Sequence, residues 1–289
     1  MYDFTLLRKQ FDIWNIPLAT EQEKLFTLYY QMLIERNRVM NLTTITEWED
    51  VCTKHILDSA AVLSLSKEVI PSFQEKNLID IGSGAGFPGL VLKILSPSLN
   101  ITLLDSLLKR VRFLNEVIDE LHLNQGSGTL QNVSRETFCK VPSVFFGCRA
   151  IHGRAEEIGS YKKEKADKSR YQSSDSKDID REAASFGAGR EKFDIVTARA
   201  VSDLRVLSEY ALPLLRHGGV FCAYKSAGID KELKAAERAV SLLGGSVQTV
   251  TEYMLPLTDI GRSLVIIQKV RPTPPMYPRP SALIKKKVL

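Results

Sequence analysis

Between Leu78 and Leu95 the chain runs from a short apolar stretch, Leu78-Ile79, through Asp80-Ile81-Gly82-Ser83-Gly84-Ala85-Gly86-Phe87-Pro88-Gly89 into a second apolar run, Leu90-Val91-Leu92-Lys93-Ile94-Leu95. This order reads as strand, glycine-rich turn, helix. Glycine tolerates positive φ and lets a ligand approach the backbone closely. The free N–H groups of the following helix face back toward the turn. Pro88 suits the start of that helix, where a missing N–H costs nothing. The unit reads as a seat for an adenosine-bearing cofactor.

The flanking sequence repeats the strand-helix theme. Residues 77–81 give the first strand and Asn100–Asp105 the second. Asp105 lies 19 residues beyond Gly86, where a carboxylate can accept both hydroxyls of an adenosine ribose. A helix from an N-cap at Ser106 to about Leu121 follows. A short third strand, Arg149–Gly153, leads into Arg154-Ala155-Glu156-Glu157, which reads either as the adenine side of the crevice, with Ala155 and Glu156 facing it, or as a surface loop with ordinary charges. The fourth strand, Phe193–Ala198, ends in Arg199. The next helix, over Leu204–Leu214, is closed by His217-Gly218-Gly219. Val220–Lys225 is the fifth strand, and a helix over about Asp230–Leu243 follows. Val247–Met254 and Ser263–Val270 then form two strands joined by Leu257–Arg262 with no helix between them. The pattern predicts an α/β fold: a seven-stranded, mostly parallel, doubly wound sheet with helices on both faces and an antiparallel ending.

Residues 1–76 precede this domain as a helical lid or platform. Leu25, Leu28, Tyr29, Met32 and Leu33 recur at helical spacing within 20–42, with Thr20 and Glu23 as a capping box. A second helix spans about Glu49–Leu65, and His55 and Asp58, three apart, share its face. That pair reads either as a local hydrogen bond or as a substrate-facing couple. The domain itself covers 77–270, with insertions at about 124–148 and 159–192. The second of these is rich in Ser and mixed charge, a composition with little to bury. Residues 271–289 form a Pro-rich tail expected to be non-helical. Six basic residues (Lys269, Arg271, Arg279, Lys285, Lys286, Lys287) and no acidic one lie beyond residue 268, so the excess behind the net charge of +5 sits there. Such a tail suits a polyanion such as RNA, or serves as a solubilising arm. The four cysteines form no Cys-x-x-Cys pair, which predicts no zinc site or other metal site, no disulfide framework and a reducing cytoplasm. No apolar run approaches a membrane span.

Gly84-Ala85-Gly86-Phe87-Pro88-Gly89 formally matches the dinucleotide fingerprint Gly-x-Gly-x-x-Gly, which leaves a nicotinamide-dependent oxidoreductase as one reading. Asp80, two residues before Gly82, instead extends the pattern to Asp-x-Gly-x-Gly-x-Gly. Together with the terminal strand pair, this is similar to the Rossmann-like class I methyltransferases that use S-adenosylmethionine. Thermal shifts with the two cofactors discriminate between these readings.

Six segments then occur in order: Asn41-Leu42-Thr43, His55-Ile56-Leu57-Asp58-Ser59, the glycine turn itself, Leu103-Leu104-Asp105-Ser106 with Lys109–Leu114, Gly153-Arg154-Ala155-Glu156, and Thr197-Ala198-Arg199-Ala200-Val201. Together they resemble the bacterial 16S ribosomal RNA guanine-N7 methyltransferase G family, also called the glucose-inhibited division protein B family. The resemblance covers nearly the whole chain. It implies a cytoplasmic enzyme that methylates one guanosine of 16S ribosomal RNA, free or in the small ribosomal subunit, and a monomer is expected. It also implies S-adenosylmethionine contacts at Gly82, Phe87, Ala155, Glu156 and Arg199. Gly84 and Gly86 join them from the turn, and Asp105 from the strand-end argument. Asn41, His55 and Asp58 gain weight as lid residues near the crevice. Together with Lys109, Arg110, Tyr277, Arg279, Lys285, Lys286 and Lys287 they are candidate RNA contacts. Guanine N7 carries a free lone pair, so no catalytic base is expected. No Asn-Pro-Pro-Tyr or Pro-Cys follows the fourth strand, which argues against exocyclic-amine and cysteine-dependent pyrimidine chemistry. Arg199 takes that position and borders the transfer site or forms a structural ion pair. A non-catalytic ribosomal-RNA-binding assembly factor is the remaining alternative.

Overall fold

A computed structural model of the chain describes residues 2–124, 147–160, 189–199 and 202–289. Most of the expected insertions, at 124–148 and 159–192, lies outside the described residues, as does Ala200-Val201.

Seven strands form one sheet: β1 Asn77–Ile81, β2 Asn100–Asp105, β3 Cys148–His152, β4 Phe193–Arg199, β5 Leu215–Ser226, β6 Gly245–Met254 and β7 Gly261–Lys269. Their spatial order is β3-β2-β1-β4-β5-β7-β6. The first five are parallel, and β7 pairs antiparallel with both β5 and β6. The helices are α1 Thr5–Trp14, α2 Thr20–Met40, α3 Trp48–Val51, α4 Asp58–Leu65, α5 Gly89–Leu95, α6 Leu108–Glu120, α7 Ala155–Ile158, α8 Leu204–Ala211, α9 Asp230–Leu242 and α10 Ser281–Lys286. This is the seven-stranded, mostly parallel, doubly wound sheet with an antiparallel ending that the strand-helix pattern predicts.

Side chains alternate across the sheet, so each strand feeds two cores. Leu78, Cys222, Tyr224, Leu264 and Ile266 face a cluster with Phe11, Phe26, Tyr29, Leu33, Leu90 and Phe113. Ile79, Phe221, Ala223, Val265 and Ile267 face the opposite cluster with Leu207, Leu212, Val240 and Ile284. The N-terminal helices therefore lie over the α5–α6 face of the sheet. The C-terminal segment lies over the α8–α9 face.

Several local readings change. The α2 cap is Ala19, whose N–H donates to Gln22 Oε1 at 2.8 Å. Glu23 instead turns to the Arg8 fork, at 2.6 and 2.7 Å, and ties α2 to α1, a helix that the sequence reading did not mark. Ser106 is not a cap, because α6 begins after Leu107 and the Leu107 N–H donates to Asp105 Oδ1. His217-Gly218-Gly219 lies inside β5, which starts at Leu215 and shifts register against β4 between Phe193 and Ile195. The tail is also partly helical. Pro280 precedes the first turn of α10, where proline is tolerated, and Ile284 is buried in the core. Among the described residues, no helix is long and apolar enough to cross a membrane.

Candidate functional site

The strand order reverses direction between β1 and β4, and in open α/β sheets the crevice beyond the strand ends at such a point is the ligand site. The glycine turn leaves β1 there. Gly82, Gly84 and Gly86 all have positive φ (70°, 61° and 106°). Asp80, fully buried, braces the turn from below. Its Oδ1 accepts from Thr197 Oγ1 at 2.9 Å and its Oδ2 from Gly89 N at 3.2 Å. Burial pushes its carboxyl up to about 6, against the pull of these hydrogen bonds. Asp105 braces the turn from the β2 side. Its Oδ2 accepts from Gly84 N at 2.9 Å and lies 3.5 Å from Arg110, and its side chain is 3% exposed. Asp105 is thus engaged with protein groups on both oxygens.

A second cluster sits beside the turn. Between α3 and α4 the helix widens into a π-turn, Cys52–Leu57, a distortion common at functional sites. His55 lies in this turn and Asp58 begins α4, and both contact Arg199 at the end of β4. Arg199 Nη1 donates to Asp58 Oδ2 and to the Lys54 carbonyl, each at 3.2 Å. Its Nη2 lies 3.1 Å from His55 Nδ1. A guanidinium only donates, so Nδ1 accepts and the imidazole proton belongs on Nε2, facing Thr43 Oγ1 at 2.9 Å. His55 Nδ1 also lies 3.1 Å from the Lys54 carbonyl, which Arg199 serves instead. Burial, then the Arg199 charge, pushes the His55 imidazole down to about 3, so it is neutral at ordinary pH. Asp58 Oδ1 accepts from Tyr253 Oη at 2.8 Å and lies 3.5 Å from Arg262 Nε. The Phe87 ring fills the space between these groups: His55 stacks on it and Tyr29 packs at 5.4 Å.

Two cavities open along this edge. One, of about 470 Å³, is lined by Gly82, Ser106, Ala155, Glu156, Asp203 and Tyr210, among others. The other, of about 440 Å³, is lined by His55, Asp58, Arg199, Tyr224, Lys225 and Arg262, among others. Ser202 belongs to both.

The tertiary structure brings Gly82, Ala155 and Glu156 together around the first cavity, and His55, Asp58 and Arg199 around the second. Gly84, Gly86 and Phe87 belong to the turn itself and Asp105 braces it, and none of these four lines either cavity. Asn41 is the left-handed C-cap of α2, with φ 50°. Lys109 is exposed on α6. Arg279 is bound through its Nε and Nη2 to Glu209, at 2.8 and 2.6 Å, and Tyr277 packs against the core. Neither projects as a free arm. Lys285, Lys286 and Lys287 remain exposed. Lys269, counted with the basic tail in the sequence reading, is buried and donates to the Leu212 carbonyl. Sequence reasoning quoted Thr43 within Asn41-Leu42-Thr43 but gave it no role, and it missed Tyr253, Arg262 and the cavity-lining Ser281 and Val288. For Arg262 the only signal is a charge beside the strand-pair connection. For the others there is none.

A family model described as rRNA small subunit methyltransferase G (GidB) matches residues 22–140 and 168–260. The chain is 39% identical over 288 residues to the ribosomal RNA small subunit methyltransferase G of Desulforamulus reducens, covering 99% of each. It is 41% identical over 268 residues to that of Lachnoclostridium phytofermentans, covering 92% of this chain and 88% of that protein. It is 36% identical over 284 residues to that of Lactobacillus johnsonii, covering 98% of each.

Proposed function

Because the chain belongs to the rRNA small subunit methyltransferase G family, we propose that it methylates guanine N7 at one position of 16S ribosomal RNA, using S-adenosylmethionine. The observation that carries this reading is the pair of cavities sharing Ser202, one behind the glycine turn and one around Arg199. The first is a cofactor-sized space and the second offers a polar seat for a base at its mouth.

The residues present fit the cofactor. Around the point where a Cβ would stand on Gly84, nothing comes closer than the Gly82 carbonyl at 3.8 Å, so the turn leaves its backbone open to a ligand. A cavity of about 470 Å³ falls within the range of small-molecule sites. Gly82, Ala155 and Glu156 would hold the cofactor, with Asp105 fixing the turn beneath it. When bound, S-adenosylmethionine supplies an electrophilic sulfonium methyl.

The chain's own residues then have to bind, orient and exclude water. Guanine N7 presents a lone pair on its Hoogsteen edge and has no proton to lose, so positioning is the main requirement. A buried neutral His55 and a guanidinium locked by Asp58 make a rigid wall for that purpose. The reading assigns phosphate contacts to Lys109, Lys286 and Lys287, all of which are exposed. The reading makes the protein a cytoplasmic monomer whose partner is 16S ribosomal RNA or the small subunit, and no observation favours the nicotinamide or non-catalytic alternatives. The test is to incubate the purified chain with labelled S-adenosylmethionine and small subunits from cells lacking its gene, then map 7-methylguanosine. One labelled guanosine is expected. Label on another atom, or none, overturns the proposal.

A further inference from the structure

We infer that the C-terminal segment is part of the cofactor site, with Ser281, Lys285 and Val288 forming the wall that meets the adenosine portion of S-adenosylmethionine. The inference rests on the cofactor reading above. All three residues line the cavity that also holds Gly82, Ala155 and Glu156.

The segment is fastened rather than trailing. Glu209, on α8, is 1% exposed and accepts from the Arg279 backbone N–H at 2.9 Å as well as from its guanidinium. Glu209 is adjacent in sequence to Tyr210 and one turn from Val206, both of which line the same cavity. Arg190 Nη1 donates to the Tyr277 carbonyl at 2.7 Å and its Nη2 to the Thr273 carbonyl at 2.5 Å, pinning the start of the segment. Ile284 is buried in the sheet core, with Val288 and Leu289 packed against it. These anchors fix α10 in one position over the crevice.

The geometry of the short helix does the rest. Ser281 and Lys285 are four apart and so share a face. Val288 follows just past the helix end and extends that surface. A valine and the aliphatic stem of a lysine supply an apolar plane, and the serine hydroxyl and the ammonium supply polar tips. They stand among residues from the ends of β2 and β3, namely Leu104, Ser106, Gly153 and Ala155, where the adenosine portion of a cofactor lies in a doubly wound sheet. A basic, Pro-rich stretch that reads in sequence as an RNA arm is here a structural side of the cofactor pocket.

The experiment is calorimetric titration of S-adenosylmethionine into the full chain without RNA, for wild type, Val288→Asp, Lys285→Ala and the control Leu283→Ala. Leu283 is exposed on α10 outside the cavity lining. Val288→Asp is expected to weaken binding at least about tenfold and Lys285→Ala about threefold, with Leu283→Ala unchanged. Urea denaturation of each variant checks folding, and Lys285→Ala trims only an exposed side chain, so it keeps the test open if Val288→Asp unfolds. Wild-type binding with Lys285→Ala and a folded Val288→Asp binding equally well overturns the inference and leaves the cofactor reading standing. A wild type that does not bind S-adenosylmethionine overturns both.

Discussion

The imidazole of His55 lies stacked on the ring of Phe87, with centroids 4.3 Å apart and planes 21° from parallel. The Arg199 guanidinium stands 5.1 Å from the centroid of the same ring. One aromatic side chain from the glycine turn thus joins the N-terminal helices to the end of β4. Stacking and cation–π attraction hold three distant stretches of chain in register.

The first prediction concerns pH. The His55 pKa is depressed to about 3 from 6.5, so the unfolded chain takes up this proton first. Its contribution to stability is complete above about 6.5 and is lost as pH falls toward 3. Asp80 runs the other way. Its pKa is raised from 3.8 to about 6, so its contribution is present below 3.8 and lost as pH rises through 6. In the wild type the two offset each other between about 4 and 6. Asp80→Asn should steepen the fall of the urea midpoint on acidification, and His55→Phe should reverse its slope. Parallel pH profiles for all three proteins would count against both assignments.

Arg199 makes the second prediction. Arg199→Ala removes a guanidinium that is 13% exposed from an Asp58 that is 4% exposed. Breaking a buried pair costs about 3–5 kcal/mol, but Tyr253 and Arg262 still serve Asp58, so a loss on the order of 2 kcal/mol is expected. Arg199→Lys keeps the charge and loses the second donor to His55. It should recover most of the stability and still methylate more slowly than wild type. Equal activity in Arg199→Lys and wild type would remove the planar fork from the site.

Gly86→Ala tests the turn. At φ 106°, a Cβ there would stand 2.4 Å from Leu90 Cδ1 and 2.8 Å from Tyr29 Oη. Overpacking together with the unfavourable backbone region should cost about 2–4 kcal/mol. Urea denaturation measures it, and a cost near zero would mean that Leu90 moves aside freely.

The fourth prediction separates phosphate contacts from scaffold. Replacing Lys109, Lys286 and Lys287 together with Ala should reduce the slope of log affinity against log salt for ribosomal RNA by about 2. Arg279→Ala should leave that slope unchanged. It strands the buried Glu209 and should lower stability by about 3 kcal/mol. A change in salt slope with Arg279→Ala, at unchanged stability, would restore it to the RNA-facing set.

The sequence by itself determined the doubly wound sheet, the place of the glycine turn and the strand-end positions of Asp105 and Arg199. Those follow from local signals: residue periodicity, glycine's tolerance of positive φ, and strand-helix order. Only the tertiary structure decided partners. Asp80 meets Thr197 because β1 and β4 are neighbours 117 residues apart in sequence. Asp105 faces the glycine turn. Glu209 claims Arg279, and Lys269 disappears into the core. The last two overturn the reading of the tail as a uniform basic arm. Charge composition is a sum over a stretch of chain, whereas burial and ion pairing depend on what folds against each side chain. No local pattern marks Ser281, Lys285 and Val288 as neighbours of Gly82, since only the docking of the tail on α8 brings them to the same cavity.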